Sequence, residues 1–479
     1  MRNAWTGTLV LLALLGACSR APQSETMSDV ATDAGGPAAT RGDMTTHEVD
    51  DAAPSAMSRS TERTTTETRQ TSIGGIVTTK TTRTTSERVA VPMPTLPPVV
   101  ERDLPSQRGR VQPPVQSGLL TAGDYDDLLN PRAYATYASG FLQTSERQLP
   151  FVDTRTRTSI RIMGSDGRPV PFARVAVQRR GGALTLTTSG DGVVSFYPAF
   201  DRVSGKARVA VSSTAGQAAT VVDTARGPQN VVVTMRGSGR PVQALDIALV
   251  VDATGSMGDE IDYLQAEIDA IVSRIRRNAG NLDIRIGLVA YRDEGDEYVV
   301  RSHDLSNGKS VQKALAALDA SGGGDMPEAM DRAIAAAAGM SWRQDAVKTM
   351  LVVADAPPHD EHIGRTLDRV QSLRSRGVHV VPIAASGVDD TAQYVMRTMA
   401  AMTQGRYLFL TDDSGVGNAH AEPQISCYLV SRLDGLVARV VSGFVAGRRI
   451  EPRREDVVRE VGQYDRGRCF GEGDVPGQE

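Results

Sequence analysis

The sequence predicts a multidomain chain: a doubly wound α/β domain, a smaller all-β sandwich ahead of it, and a disordered N-terminal tether. Three observations carry that expectation. Apolar runs recur at 247–251, 284–291 and 350–354, separated by stretches of helical period; strands buried on both faces read this way. Short alternating runs punctuated by turn residues fill 158–235, the pattern of a sandwich. Residues 19–118 are rich in Thr, Ser, Ala and Pro and almost free of aromatics. Such a composition cannot bury enough surface to offset its ordering entropy.

The N-terminus sets the expected compartment. Met1-Arg2 precedes a short apolar core over 9–15, too short to span a bilayer. Leu15-Gly16-Ala17-Cys18 resembles a bacterial lipoprotein box. The resemblance implies a signal peptide over 1–17 and a lipid (palmitate among its chains) on Cys18, which anchors the protein to a membrane. Ser19, where an acid would favour the inner membrane, implies the outer membrane. A tether over 18–118 has a root-mean-square reach of roughly 50–60 Å. Residues 119–152 are expected to form a short helical segment, with turns of helix near 124–129 and 134–142. The Asp124, Asp126 and Asp127 cluster reads as capping and solvated charge rather than a Ca²⁺ site.

The β-sandwich is placed at 153–238. Its alternating runs lie at 160–162, 175–177, 184–187, 193–196, 208–211, 220–222 and 231–233. Asp166-Gly167-Arg168-Pro169-Val170, Ala173 and Gly190-Asp191-Gly192-Val193-Val194-Ser195-Phe196 resemble the carboxypeptidase regulatory-like or transthyretin-like sandwich. That family is a spacer or binding module, so the resemblance implies no catalysis.

The α/β domain is placed at 243–412. The strand at 247–251 runs into Asp252-Ala253-Thr254-Gly255-Ser256, and Ile261, Leu264, Ile268, Ile271, Val272 and Ile275 then repeat at helical spacing. One carboxylate and two hydroxyls thus gather at the C-terminal end of a central strand, where open α/β sheets bind ligands. Oxygen-only ligands suit a hard divalent cation; the same hydroxyls could instead cap the helix. A second strand ends in Tyr291-Arg292-Asp293. Gly322-Gly323-Gly324-Asp325-Met326-Pro327-Glu328 follows and leads into a helix over 328–338. A third strand ends in Asp355. Helices over 362–375 and 390–403 and strands over 378–384 and 407–410 complete a sheet of about six strands. The C-terminal extension, 413–479, holds an apolar-periodic helix over 425–441 and an Arg-rich stretch, 448–454, read as a solvated face.

Asp252, Thr254 and Ser256 resemble the metal-ion-dependent adhesion site of von Willebrand factor A domains, Asp-x-Ser-x-Ser, with Thr in the first Ser position. Asp325 and Glu328 look like the integrin β-subunit and hemicentin-type branch of that family, and Asp355 falls on its last metal-site acid, which acts through a water. The resemblance covers about 245–410. It implies a Rossmann-like fold and a Mg²⁺ ion, or Mn²⁺ or Ca²⁺, held by Asp252, Thr254, Ser256, Asp325, Glu328 and Asp355. The branch often carries a second cation, for which Asp259 and Glu260 stand in the matching places. Acids in a helix's first turn are also favoured by the macrodipole alone.

These readings imply binding rather than turnover: a cell-envelope lipoprotein whose α/β domain engages a protein partner, the partner offering an acidic residue to the metal. The alternative is a periplasmic assembly or quality-control factor docking an envelope complex; a metal-dependent hydrolase stands last. His359-Asp360-Glu361-His362 lacks a metalloprotease motif, and no Gly-Lys-Ser/Thr follows the glycine run. A formal net charge of −4 gives no general pull on nucleic acid. With Cys18 lipidated, Cys427 and Cys469 remain of three cysteines, and an oxidising compartment would join them.

Overall fold

The computed structural model describes residues 114–470, except 279, 280, 325, 418, 421 and 424 and the side chain of Asp259, together with the backbone of 61–70 and 80–89. The expected signal peptide and Cys18 lie outside the described residues. Within the expected tether the chain forms two antiparallel strands, β1 (Thr61–Gln70) and β2 (Lys80–Val89). Their register sets Glu62 opposite Arg88, Arg63 opposite Glu87 and Glu67 opposite Arg83. Threonine-rich runs suit strands because β-branched side chains fit the pleat.

In the second unit, β3 (Thr121–Tyr125) and α1 (Pro131–Thr144) come first. Seven strands then occupy the region of short alternating runs: β4 (Thr158–Met163), β5 (Arg174–Arg179), β6 (Gly182–Thr187), β7 (Val193–Phe196), β8 (Lys206–Ser213), β9 (Gly216–Asp223) and β10 (Gln229–Thr234). The chain continues through β11 (Ala244–Asp252), α2 (Ile261–Asn278), β12 (Asp283–Tyr291), β13 (Val300–Ser306), α3 (Lys309–Leu315), α4 (Met330–Gly339), β14 (Val347–Ala354), α5 (Asp360–Ser375), β15 (Val378–Ala384), α6 (Asp390–Met402) and β16 (Tyr407–Thr411). It ends with β17 (Tyr428–Arg432), α7 (Leu433–Ala446), β18 (Val457–Val461), β19 (Gln463–Asp465) and β20 (Arg468–Phe470).

One mixed sheet of nine strands organises the α/β domain, in the order β13-β12-β11-β14-β15-β16-β3-β17-β18. Strands β12, β11, β14, β15 and β16 are parallel. The flanking pairs are antiparallel. Every residue of β11 and β14 is buried, because each strand feeds two cores. Ala248, Val250, Met350 and Val352 face the core under α4, α5 and α6. Ile247, Leu249, Leu351 and Val353 face the core under α2, α3 and α7. This is the period-2 alternation of a strand, with both sides apolar.

Five expectations need correcting. The sheet has nine strands, not about six. Residues 121–125 are a central strand rather than part of a short helical segment, because β16 and β17 supply its backbone partners on both sides; only α1 is helical there. The run 425–441 is not one helix: β17 precedes α7, so the C-terminal extension completes the sheet. The Arg-rich stretch is not simply solvated either, since Arg449 pairs with Asp124, Asp126 and Glu451. The same contacts take Asp124 out of solvent, and Asp127 is bound to buried Arg397.

Strands β4–β10 form a three-stranded sheet, β10-β4-β7, and a four-stranded sheet, β6-β5-β8-β9. Both contribute to one apolar core that includes Ile160, Val175, Leu186, Phe196, Val209 and Val233. This region is fixed to the α/β domain by Arg374 of α5. Its guanidinium meets both oxygens of fully buried Asp201 at 2.8 and 2.9 Å and donates to the Ser195 carbonyl at 2.7 Å. Nearby, the Tyr197 hydroxyl donates to the Ala401 carbonyl at 2.5 Å. Cys427 and Cys469 are joined by a disulfide across 42 residues, which ties the β19–β20 hairpin to the start of β17. Such loops typically contribute about 2–4 kcal/mol. Among the described residues, no helix is long and apolar enough to cross a membrane.

Candidate metal centre

Three loops meet at the C-terminal ends of β11 and β14. The first follows β11. Its Ala253 amide donates to the Tyr291 carbonyl of β12 at 2.9 Å, and its Gly255 amide donates to the Gly322 carbonyl at 3.0 Å. The second is the glycine loop, whose Ser321 amide returns a bond to the Ala253 carbonyl at 3.0 Å. The third follows β14. The Glu328 amide donates to its Pro357 carbonyl at 3.0 Å, and Glu328 bridges Pro358. Glu328 is thus held in extended pairing and α4 begins two residues later, which corrects the expected helix over 328–338.

The pairing carries Glu328 to the β11 loop. A Cβ on Gly323 would lie 2.9 Å from Glu328 Oε1 and 3.2 Å from Thr254 Cβ, and its φ is +73°. Only glycine lets the backbone pass between those side chains at that angle.

Asp252 and Thr254 are fully buried, and Ser256 is exposed. Asp252 Oδ1 accepts from the Thr254 amide at 3.0 Å and the Thr254 hydroxyl at 2.7 Å; Thr254 Oγ1 and Ser256 Oγ are 3.1 Å apart. Thr254 stands at the N-cap of a short 3₁₀ turn, Gly255–Asp259, but makes no capping bond. Its hydroxyl is turned to the carboxylate instead, so capping does not account for it. Asp355, just past β14, is buried beside them. The side chain of Asp325 lies outside the described residues, as does that of Asp259. Glu260 is buried, with Oε1 2.6 Å from His420 Nε2, and His420 Nδ1 is 2.8 Å from Asp412 Oδ1. One oxygen of Glu260 is therefore already engaged.

The electrostatics of the site are those of crowded acids. Burial, and then the charge of Asp355, push Asp252 up to about 7 against the two Thr254 hydrogen bonds and the Tyr291 hydroxyl. Burial, and then Asp252, Asp293, Asp355 and Asp296, push Glu328 up to about 9. Asp252 Oδ2 and Glu328 Oε2 are buried with no hydrogen-bond partner. Such oxygens are costly unless a cation or proton meets them. The donor set therefore fits the divalent ion that the sequence implies. Among the described residues no three of His, Cys, Asp and Glu could hold a metal by themselves. The hydroxyls of Thr254 and Ser256 stand beside Asp252 as further oxygen donors.

Proton linkage follows with a definite sign. Both acids titrate higher in the fold than their ordinary values, near 4, so the folded chain binds more protons than the unfolded one. Stability without cation should fall as pH rises from about 4 towards 9 and level off above that. A cation must displace those protons, so its affinity should rise with pH between about 6 and 9. Calorimetric titration at pH 7 in buffers of different ionisation enthalpy checks this. The apparent heat should vary with the buffer; identical heats would count against these carboxylates as ligands.

Sequence reasoning assigned no role to Arg292, Asp293 or Asp296, although the strand ending Tyr-Arg-Asp was visible. Tyr291 stands in register with Asp252, so the turn after β12 opens on the same loops. Asp293 Oδ1 lies 2.7 Å from His359 Nε2. A polar turn directly after a buried strand, beside the motif-bearing one, is the signal that could have found them.

The sequence model of the von Willebrand factor type A domain matches residues 246–421. That part of the chain is such a domain. An ariadne-like RING finger protein of Acanthamoeba polyphaga mimivirus is 31% identical over 188 residues, which is 35% of this chain and 18% of that protein. The alpha-protein kinase vwkA of Dictyostelium discoideum is 26% identical over 126 residues, 25% of this chain and 20% of the kinase. The chain thus spans about a fifth of the length of these curated relatives. Among solved structures, the pilus adhesin SpaC of Lactobacillus rhamnosus GG aligns with 50% of this chain and 32% of its own, at 12% identity and a TM-score of 0.31.

Proposed function

We propose that this von Willebrand factor type A domain is a divalent-cation-dependent protein-binding module, carried by a cell-envelope lipoprotein. The observation that carries the reading is the pair of buried, partnerless carboxylate oxygens, Asp252 Oδ2 and Glu328 Oε2, beside two hydroxyls at the ends of β11 and β14. Asp252, Thr254, Ser256 and Glu328 would hold Mg²⁺, with Asp355 acting through water and Asp325 supporting; Mn²⁺ or Ca²⁺ are the alternatives. Hard oxygen donors with exchangeable waters suit Mg²⁺. The bound ion supplies a coordination position that a carboxylate from a partner protein can take.

The role is recognition rather than catalysis: the ligand set is carboxylates and hydroxyls, and each protein side chain named here serves to bind or to orient. Ser256, exposed at the rim, is the ligand a partner meets first. The two-sheet region β4–β10 serves as a carboxypeptidase regulatory-like sandwich, a spacer fixed to the domain through Arg374. Lipid on Cys18 anchors the whole to the outer membrane.

Capture of a partner from envelope extract on the immobilised chain tests the reading. The same partner should be retained in Mg²⁺, released by chelator, and absent when Asp252→Asn is the bait. Retention that ignores both chelator and the substitution would contradict the proposal.

A further inference from the structure

The turn between β12 and β13 touches all three loops of the metal centre through Arg292, Asp293 and Asp296. Arg292, with its side chain only 2% exposed, donates through Nε to the Ala253 carbonyl at 3.1 Å. Through Nη2 it reaches the Asp319 carbonyl at 2.9 Å and the Asp319 carboxylate at 3.0 Å. One guanidinium thus joins the loop after β11 to the start of the glycine loop. The Ala253 carbonyl is flanked by Asp252 and Thr254, so its position sets theirs.

Asp296 acts further along the glycine loop. Its Oδ2 accepts from the Asp293 amide at 3.0 Å and the Gly323 amide at 2.8 Å. Gly323 is the residue threaded between Thr254 and Glu328. The neighbouring Gly322 has a φ of +78°, and a Cβ there would strike the Asp296 carboxylate at 2.4 Å. Asp293 in turn is joined to His359 of the third loop.

From this geometry we infer that Arg292 and Asp296 are positioning residues of the cation site, a brace that holds the ligand-bearing loops in register without ligating the ion. The inference rests on the cation-binding reading above. A planar fork can bridge two loops at once, whereas lysine ends in a single point charge. Asp296 works through one oxygen shared by two amides, a task the carbonyl oxygen of asparagine can also perform.

That difference supplies the test. Mn²⁺ binding by the full chain is measured by titration and by electron paramagnetic resonance, alongside the melting temperature in chelator. Loss of a group that orients metal ligands typically weakens affinity by about 10–100-fold. Asp296→Ala should show that loss, while Asp296→Asn should bind as the wild type does. Both should melt in chelator close to the wild type, because Asp296 is only half-buried. Arg292→Gln and Arg292→Lys should both lose affinity, since neither bridges the two loops.

If Asp296→Asn is as weak as Asp296→Ala, the charge of Asp296 and not its positioning role is at work, and the inference falls. It also falls if Asp296→Ala binds Mn²⁺ normally. If the Arg292 variants do not fold, the Asp296 pair alone decides. A wild type that takes up no Mn²⁺ overturns the cation reading, and this inference with it.

Discussion

Asp252→Asn is expected to abolish divalent-cation uptake while leaving a folded chain. The amide keeps an oxygen for the two bonds from Thr254 and deletes the only charge in the Asp-x-Thr-x-Ser motif. Thr254 and Ser256 are neutral and cannot by themselves replace the hydration of a hard dication. The variant should also be more stable than the wild type in chelator, and the sign is fixed by the titration. Asp252 is raised to about 7 in the fold, so its ionised form weakens the cation-free protein. That penalty is absent well below pH 4, grows through pH 7 and is full above it. Melting curves in chelator should therefore separate wild type and variant less at pH 5 than at pH 8. A less stable variant at pH 8 would mean that the wild-type carboxylate is compensated by something other than a proton or a cation.

Arg374→Met is expected to destabilise the chain by about 3–5 kcal/mol. Its partner Asp201 is fully buried and would be left charged, with the Tyr197 amide at 2.7 Å as its main remaining donor. The bond to the Ser195 carbonyl would go with it. Pairing the substitution with Asp201→Asn should recover much of the loss, because the stranded charge is then gone. Urea unfolding of the two variants checks this; a loss below about 1 kcal/mol for the single change would show that water reaches the pair. Cation affinity should be unaffected. Arg374 sits just before β15, whereas Asp355 lies beyond the far end of β14, and the paired strands between them run from Lys348 and Val378 to Ala354 and Ala384. Seven residues of strand separate the two ends by about 20 Å.

The central parallel strands were legible because they are buried on both faces. Residues 247–251 and 350–354 have no polar side to show, so they read as strands without any knowledge of their neighbours. The centre of the site was legible for the same reason: a carboxylate and two hydroxyls directly after such a strand must emerge at its C-terminal end. β3 was not legible. Thr121-Ala122-Gly123-Asp124-Tyr125 has no apolar run, and its partners β16 and β17 lie nearly 300 residues downstream.

β17 was hidden for another reason. Its apolar residues are continuous with those of α7, and period alone cannot separate a short buried strand from the helix it joins. The brace after β12 was invisible because its contacts are to backbone groups of other loops. A sequence shows that Arg292 is charged; only the fold shows that it is buried against Ala253 and Asp319. The pairing of Cys427 and Cys469, by contrast, followed from the count of cysteines once an oxidising compartment was expected.

The most direct test of the account is calorimetric titration of the cation-free full chain with Mg²⁺, and then with Mn²⁺ and Ca²⁺. The account predicts saturable uptake at a site that includes Asp252, tighter at pH 8 than at pH 6 and absent from Asp252→Asn. A wild type that takes up none of the three ions, or an Asp252→Asn variant that binds as tightly as the wild type, would contradict it.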